Sequence, residues 1–242
     1  MGKQHHLNDV RKIAAEFDAE IRALAVLNTP NARAIRRKYS QKFRQVKPEF
    51  ILEFARVLFN KYKHRWAAYE LIKDHKAAFQ CMREKELEDF GRGINSWWTV
   101  DGFARILSGP AWLNGQVSDK LIRRWACSKD RWWRRAALVS TVALNVRSQG
   151  GYGDVPRTLA ICKMLTSDHD DMVAKAMSWA LRVLAVHNPD AVVKFLKKYE
   201  QKLAARVKRE VRNKLKTGLK NPKMEKKHRS PGETVKRGME AR

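Results

Sequence analysis

The segment "DRWWRRAA" (residues 130–137) recurs in altered form as "DDMVAKAM" (residues 170–177). Both follow the pattern Asp-x-x-apolar-x-basic-Ala, and the matched positions are Asp130, Trp133, Arg135 and Ala136 in the first and Asp170, Val173, Lys175 and Ala176 in the second. Paired helices that recur at about 40–47 residues stack into a curved solenoid. The repeat therefore predicts a solenoid, with chance similarity between two amphipathic helices as the alternative.

Helical periodicity extends through nearly the whole chain. Apolar residues recur at steps of three and four, as in Val10, Ile13, Phe17, Ile21 and Leu24, and alternating strand patterns are absent. Four prolines stand where first helical turns are expected: Pro30, Pro48, Pro156 and Pro189. We predict an all-α fold over residues 1–217 whose units resemble HEAT repeats, forming an α-solenoid with a concave basic face.

The carboxyl-terminal part has a different composition. Apolar residues step by fours through Tyr199, Leu203, Val207, Val211 and Leu215, which predicts one basic helix that ends at about residue 217. Residues 218–242 are polar and basic, with two prolines and almost no large apolar side chain. We predict that they form a disordered tail.

The charge balance indicates the kind of partner. Lys and Arg total 51 against 25 Asp and Glu, a net charge of +26. Such an excess predicts a polyanionic partner, most often nucleic acid and less often an anionic membrane. The concave face of a solenoid would accommodate a duplex.

Other classes of protein find no support in the sequence. No stretch approaches the roughly 18 consecutive apolar residues of a membrane span, and the amino terminus lacks a signal-peptide core. Cys81, Cys127 and Cys162 are few and far apart, and the seven histidines form no ligand pattern. We expect a cytoplasmic protein, nucleoid-associated in a bacterium, with no disulfide, metal or cofactor and no membrane partner.

Two adjacent tryptophan pairs, Trp97–Trp98 and Trp132–Trp133, suggest a binding surface. Neighbouring helical residues point about 100° apart, so at least one member of each pair should lie at a groove or an edge. If residues 97–101 are helical, Trp97 and Asp101 lie one turn apart on the same side, an arrangement that suits a cation. The alternative is that Asp101 accepts hydrogen bonds at a helix start.

Three segments in order carry a family resemblance: "SWWTVD" (96–101), "DRWWRRAAL" (130–138) and "AKAMSWALRVLAVHNPD" (174–190). They resemble the HEAT-like-repeat DNA alkylation repair glycosylases of the AlkD type. The segments "LNTPNARAIRR" (27–37) and "HRWAAYELI" (64–72) are similar to earlier parts of that family, so the resemblance covers roughly residues 20–200. Gly91, Gly93 and the basic carboxyl-terminal extension have no counterpart in the family pattern.

The resemblance implies roles for several residues. The family's catalytic carboxylate falls on Asp101 and its DNA-contacting arginine on Arg135, with Arg134 as a second candidate for DNA binding.

The lesion-site tryptophans fall on Trp179 and on one of Trp97 or Trp98. This chain has only Thr99 between its tryptophan pair and Val100, one residue fewer than the family. The spacing to Asp101 selects Trp97, whereas alignment of the pair as a unit slightly favours Trp98. We expect the other member of the pair to be buried.

The resemblance also implies an activity. The protein would act as a monomer that excises positively charged N3- or N7-alkylated purines from double-stranded DNA in base excision repair, leaving the lesion stacked in the duplex without base flipping. The alternatives are a non-catalytic HEAT-repeat module that binds nucleic acid through charge, and a protein-interaction scaffold.

Overall fold

The structure, a computed structural model, describes residues 2–222 of the chain and the side chains of residues 9–222. This part contains helices and no strand. The α-helices are α1 (Gly2–Arg22), α2 (Thr29–Lys42), α3 (Pro48–Asn60), α4 (Arg65–Asp74), α5 (Lys76–Gln80), α6 (Glu84–Gly91), α7 (Trp97–Phe103), α8 (Gly109–Leu113), α9 (Asp119–Ala126), α10 (Arg131–Ala143), α11 (Val155–Met164), α12 (Asp171–Leu184), α13 (Pro189–Lys198) and α14 (Ala205–Thr217). The prediction of an all-α fold is confirmed.

The helix starts follow from the sequence. Each of the four prolines singled out above lies in the first turn of its helix, where a missing N–H costs no hydrogen bond. Side-chain caps satisfy neighbouring amides; for example, Asn28 accepts a hydrogen bond from the N–H of Asn31 at 2.9 Å. The predicted apolar stripe of α1 is buried at Val10, Phe17 and Ile21.

The repeated sequence pattern corresponds to a repeated helix start. Asp130 caps α10 by accepting from the N–H of Trp132 at 2.8 Å, and Asp170 caps α12 by accepting from the N–H of Met172 at 2.8 Å. Helix α10 packs directly against α12. The two segments are therefore equivalent units of one stack, consistent with the predicted HEAT-like helical repeat.

The helices stack in two rows. Helices α2, α4, α7, α10, α12 and α14 pack against one another in succession, and we call them the inner row. On the other side, α1 packs against α3, α3 against α5, and α9 against α11. The inner row is the part of the fold that positions the functional side chains described below.

One inner helix widens between its two α-helical parts. Residues Ala104–Ser108 form a π-helical turn that joins α7 to α8. The N–H of Gly109 bonds to the carbonyl of Ala104, and Pro110, which has no N–H, follows at once. A side chain at Gly109 would lie 2.8 Å from the Ser140 carbonyl oxygen, so glycine permits the close crossing of α8 and α10.

The carboxyl-terminal prediction was partly wrong. The predicted continuous helix through residues 199–217 is broken, because α13 ends at Lys198 and α14 begins only at Ala205. Leu203 lies in the turn between the two helices and is nevertheless buried. Apolar residues spaced by four are therefore buried here both in helices and in the turn that joins them. Gly218 ends α14 in a left-handed conformation, φ 74°. Most of the predicted tail, residues 223–242, lies outside the described residues, and its disorder stays a prediction.

Within residues 2–222, no helix has the length and apolar character that crossing a membrane requires.

Candidate active site

The site is built around a salt bridge between two helices of the inner row. The Asp101 carboxylate on α7 accepts two hydrogen bonds from Arg135 on α10, from Nε to Oδ1 at 2.9 Å and from Nη2 to Oδ2 at 2.9 Å. Arg135 also donates from Nη1 to the carbonyl of Met172 at 2.6 Å. The guanidinium therefore joins three successive inner helices, α7, α10 and α12.

Asp101 and Arg135 meet because they occupy equivalent positions in their helices. Asp101 stands five residues after Ser96, the residue that precedes α7, just as Arg135 stands five residues after the cap Asp130. Lys175 occupies the same position after the cap Asp170. Because the inner helices pack side by side, equivalent positions on neighbouring helices fall next to one another. Helix α7 and Ser96 thus form a third equivalent unit. The sequence pattern did not reveal this unit, because Ser96 stands where the other two units have Asp.

Asp101 does not cap a helix, so that alternative is excluded. Helix α7 starts at Trp97. The capping contact at its start comes from Thr99, whose hydroxyl accepts a hydrogen bond from the N–H of Ser96 at 3.2 Å. Residues 97–101 are helical, which places Trp97 one turn before Asp101 as predicted. Burial raises the pKa of the Asp101 carboxyl above its ordinary value, and the charges of Arg135 and Arg105 oppose part of this rise.

A cavity of about 350 Å³ opens beside the salt bridge. It is lined by two indole rings and four basic side chains, namely Trp97, Trp179, Arg135, Lys175, Arg182 and Lys220. The cavity thus brings together three of the residues that the sequence singled out, Trp97, Arg135 and Trp179. The fourth, Asp101, does not line the cavity but is bound by Arg135, which does.

The two adjacent tryptophans differ in what they face. Trp97 lines the cavity and Trp98 does not, although the exposed fractions of the two side chains are similar, 59% and 56%. The expectation that one of the pair is buried was wrong, because both tryptophans, the first two residues of α7, are more than half exposed. Cavity geometry thus favours Trp97, as the spacing to Asp101 did, over the alignment-based preference for Trp98.

Trp179 is half-buried on α12 and contacts a further cation. The guanidinium of Arg105, in the π-helical turn, lies 5.6 Å from the centre of the Trp179 ring. This distance is within the range of a cation–π interaction. The indole face thus already attracts a positive charge in the protein alone.

Arg134 lies apart from the cavity. Its Nε donates to Asp168 at 2.6 Å, and its Nη1 donates to the carbonyls of Ser128 and Lys129 at 3.0 and 2.8 Å. These contacts tie the turn before α10 to the turn before α12. The predicted DNA-binding role of Arg134 stays a prediction, and its observed contacts stabilise the stack.

Trp133, the second member of the other tryptophan pair, packs behind the site. The Trp133 ring lies 4.9 Å from that of Trp125 and 5.9 Å from that of Phe103, measured between ring centres. A side chain at Gly91 would come within 2.4 Å of the Trp133 ring, so glycine makes room for the indole. This aromatic cluster supports α7 from behind and explains a glycine that the family pattern left unaccounted for.

Two further cavities extend the basic surface along the inner row. Arg33, Arg36 and Lys73 line one of about 320 Å³, and Arg36, Arg37 and Arg44 line another of about 800 Å³. The two share Arg36 and Asp74, and the smaller one also includes Arg105, which contacts Trp179. No Trp, Tyr or Phe lines the larger cavity, and its one carboxylate, on Asp74, is bound by Arg36 and Ser40, so its basic lining suits anion binding.

Sequence reasoning assigned neither Arg182 nor Lys220 to the site, nor Glu210, whose carboxylate lies 3.6 Å from Lys220 Nζ. Lys175 was singled out only as a position of the repeat. Arg182 could have been found, because it lies one turn after Ser178 on the α12 face that carries Trp179. Glu210 and Lys220 gave no signal, since they lie in a segment so rich in charge that single residues do not stand out. Among the described residues, no three His, Cys, Asp or Glu side chains are grouped so as to hold a metal ion.

Comparison with known protein families matches most of the chain. A family model described as DNA alkylation repair enzyme matches residues 4–215. No curated protein matches the chain. The matched region contains Trp97, Asp101, Arg135 and Trp179, and it ends five residues before Lys220.

Proposed function

Because the chain belongs to the family of DNA alkylation repair enzymes, we propose that it is a DNA glycosylase that removes positively charged N3- or N7-alkylated purines from duplex DNA. This would be the first step of base excision repair. The observation that carries the proposal is the Asp101 carboxylate, which Arg135 fixes in place beside a cavity lined by Trp97 and Trp179.

The substrate needs little acid catalysis. An alkylated purine carries a positive charge, so it leaves as a neutral base when the bond from N9 to C1′ of the deoxyribose breaks and the bonding electrons pass to the base. The sugar then becomes an oxocarbenium ion, which water attacks at C1′. The protein has to stabilise this cation and accept or release the proton of the attacking water.

Asp101 supplies the negative charge. Its two oxygens each accept one hydrogen bond from Arg135, and each keeps a further lone pair. Burial strengthens its attraction for a developing cation, because the field is screened less than in water. The raised pKa of Asp101 also suits a group that accepts a proton from water.

Arg135 acts as a positioning residue. Three of its five N–H groups are used by Asp101 and Met172, which fixes the orientation of the carboxylate. Because Arg135 also lines the cavity, its remaining N–H groups are available to a DNA phosphate. Arg135 would therefore combine the predicted contact with DNA and its structural contact with Asp101.

Trp97 and Trp179 would flank the reacting sugar. Their π faces attract a cation, and Trp179 already does so with Arg105. We propose Trp97, and not Trp98, as the second lesion-site tryptophan because it lines the cavity and lies one turn from Asp101.

The charges around the cavity favour approach through the DNA backbone. Four basic side chains surround it, which suits phosphates better than a positively charged base extruded from the helix. This supports the proposal that the lesion stays stacked. The basic cavities near α2 and α4 would bind the flanking duplex.

The test is incubation of the purified protein with duplex DNA that contains 7-methylguanine or 3-methyladenine, followed by measurement of free base. A glycosylase releases base and leaves an abasic site, whereas a non-catalytic DNA-binding module binds the duplex and releases none.

A further inference from the structure

The chain reverses direction after α14 and returns toward the candidate active site. Gly218 adopts a left-handed conformation, and its carbonyl accepts a hydrogen bond from Lys214 Nζ at 2.7 Å. Asn213 then donates from Nδ2 to the carbonyl of Lys220 at 3.0 Å. These bonds hold residues 218–220 against the last turns of α14.

This reversal brings Lys220 to the cavity that Trp97, Arg135 and Trp179 also line. Lys220 lies beyond the family match, which ends at residue 215. The cavity therefore has one wall formed by a residue outside the part of the chain that resembles the family.

A buried carboxylate lies close to Lys220. Glu210 on α14 is only 2% exposed, and its Oε1 lies 3.6 Å from Lys220 Nζ. Its other oxygen accepts from the Ser178 hydroxyl at 2.6 Å, and that hydroxyl accepts from Arg182 Nε at 3.2 Å. Glu210 thus connects two of the four cations that line the cavity.

Lys220 is the least committed of these cations. Arg135 forms a two-bond salt bridge, and Lys175 pairs with Asp171 at 2.7 Å. Arg182 donates a hydrogen bond to the Ser178 hydroxyl at 3.2 Å. Lys220 Nζ is beyond hydrogen-bond distance from Glu210, and its side chain is 42% exposed. Its N–H donors can therefore turn to an incoming anion while the backbone of residues 218–220 stays in place.

We propose that Lys220 is an additional DNA-binding residue, which contacts a phosphate beside the damaged nucleotide, and that Glu210 is its positioning residue. This inference rests on the proposed function, because it assigns the cavity to the DNA backbone at the lesion. It also gives the start of the basic extension a role at the reaction site.

The experiment measures equilibrium binding to undamaged duplex DNA over a series of salt concentrations, and single-turnover base release from methylated duplex. The variant is Lys220→Ala, and the matched control is Lys216→Ala, which removes the same charge from an exposed position on the last turn of α14 outside the cavity lining. Melting temperatures are recorded for both.

We expect Lys220→Ala to lower the slope of log affinity against log salt by about 0.9, the contribution of one phosphate contact, and to slow base release several-fold. Lys216→Ala should leave the rate of base release unchanged. A Lys220→Ala protein that loses melting temperature but keeps the wild-type slope and rate would overturn the inference, since Lys220 would then only tie the chain end to Glu210.

The two proposals fail in different ways. If the wild-type protein releases no base, the glycosylase proposal is wrong, and the salt slopes still decide whether Lys220 contacts DNA. If the wild-type protein releases base and the Lys220→Ala slope is unchanged, only the inference about Lys220 is wrong.

Discussion

Arg135 binds both oxygens of the Asp101 carboxylate at 2.9 Å, although the two residues are 34 positions apart in the chain. The side chain of Arg135 is 6% exposed and that of Asp101 is 18% exposed. Asp101 is thus the more exposed member of the pair, although Arg135 is the member that lines the cavity.

Replacing Arg135 by Lys should separate positioning from charge. Lys keeps the cation but cannot donate two parallel hydrogen bonds, so the carboxylate loses its fixed orientation. We expect single-turnover base release to fall by about 10-fold or more, whereas affinity for undamaged duplex changes little. The matched control is Arg134→Lys, which should lower the melting temperature and leave the rate near that of the wild type.

The pH dependence of base release should report Asp101. Because burial raises the pKa of this carboxyl above its ordinary 3.8, the rate should be full at neutral pH and fall as pH decreases through that raised pKa. Arg135→Lys should move the acid limb to higher pH, since Arg135 lowers the pKa. An acid limb that survives unchanged in Asp101→Asn would assign the titration to another group.

The two neighbouring tryptophans should separate in activity but not in stability. Both are more than half exposed, so Trp97→Ala and Trp98→Ala should each leave the melting temperature close to that of the wild type. Loss of a cation–π contact worth roughly 1–2 kcal/mol should slow base release about 10-fold in Trp97→Ala only. Equal rates in the two variants would contradict the assignment of Trp97.

Glu210 should contribute to acid stability. Burial alone raises the pKa of its carboxyl, but the hydrogen bond from Ser178, the charge of Lys220 and the hydrogen bond from Arg206 hold the pKa below its ordinary 4.5. Its stabilising contribution is therefore present above the pKa of the unfolded chain and is lost as pH falls through the lower folded value. The melting temperature of Glu210→Gln should lie below that of the wild type near neutral pH and approach it in acid.

Two truncations should separate the contribution of residues 223–242 from that of residues 219–222. Deleting residues 223–242 removes basic charge but keeps Lys220, so it should flatten the salt slope of DNA binding without slowing base release. Deleting residues 219–242 should flatten the slope further and also slow base release. Identical slopes for the shorter deletion and the full chain would mean that residues 223–242 do not contact DNA.

The sequence predicted the helices and the repeat because both depend on local periodicity. Pro30, Pro48, Pro156 and Pro189 marked helix starts, and Asp130 and Asp170 marked equivalent caps. The break after Lys198 was missed, since apolar residues spaced by four are compatible with a turn that buries Leu203.

The chemistry of the site was less accessible to sequence analysis. The residues proposed for catalysis and DNA contact were treated as independent, whereas Asp101 and Arg135 form one unit. This pairing depends on the lateral register of α7 and α10, which no local pattern reports. Lys220 reaches the cavity because the chain reverses direction at Gly218. No local sequence pattern reports which part of the fold this reversal brings Lys220 to.

The most direct test of the account is single-turnover base release by Asp101→Asn. Asn keeps the size and one carbonyl acceptor but removes the charge, so release of 7-methylguanine should slow by about 10²–10³ while affinity for undamaged duplex holds or rises. The variant should lose some melting temperature, because Arg135 is buried without its partner. Asp101→Asn combined with Arg135→Gln replaces the ion pair by a neutral hydrogen-bonded pair, which guards against unfolding, and it should be equally slow. Release at the wild-type rate by either folded variant would contradict the catalytic role of the Asp101 carboxylate.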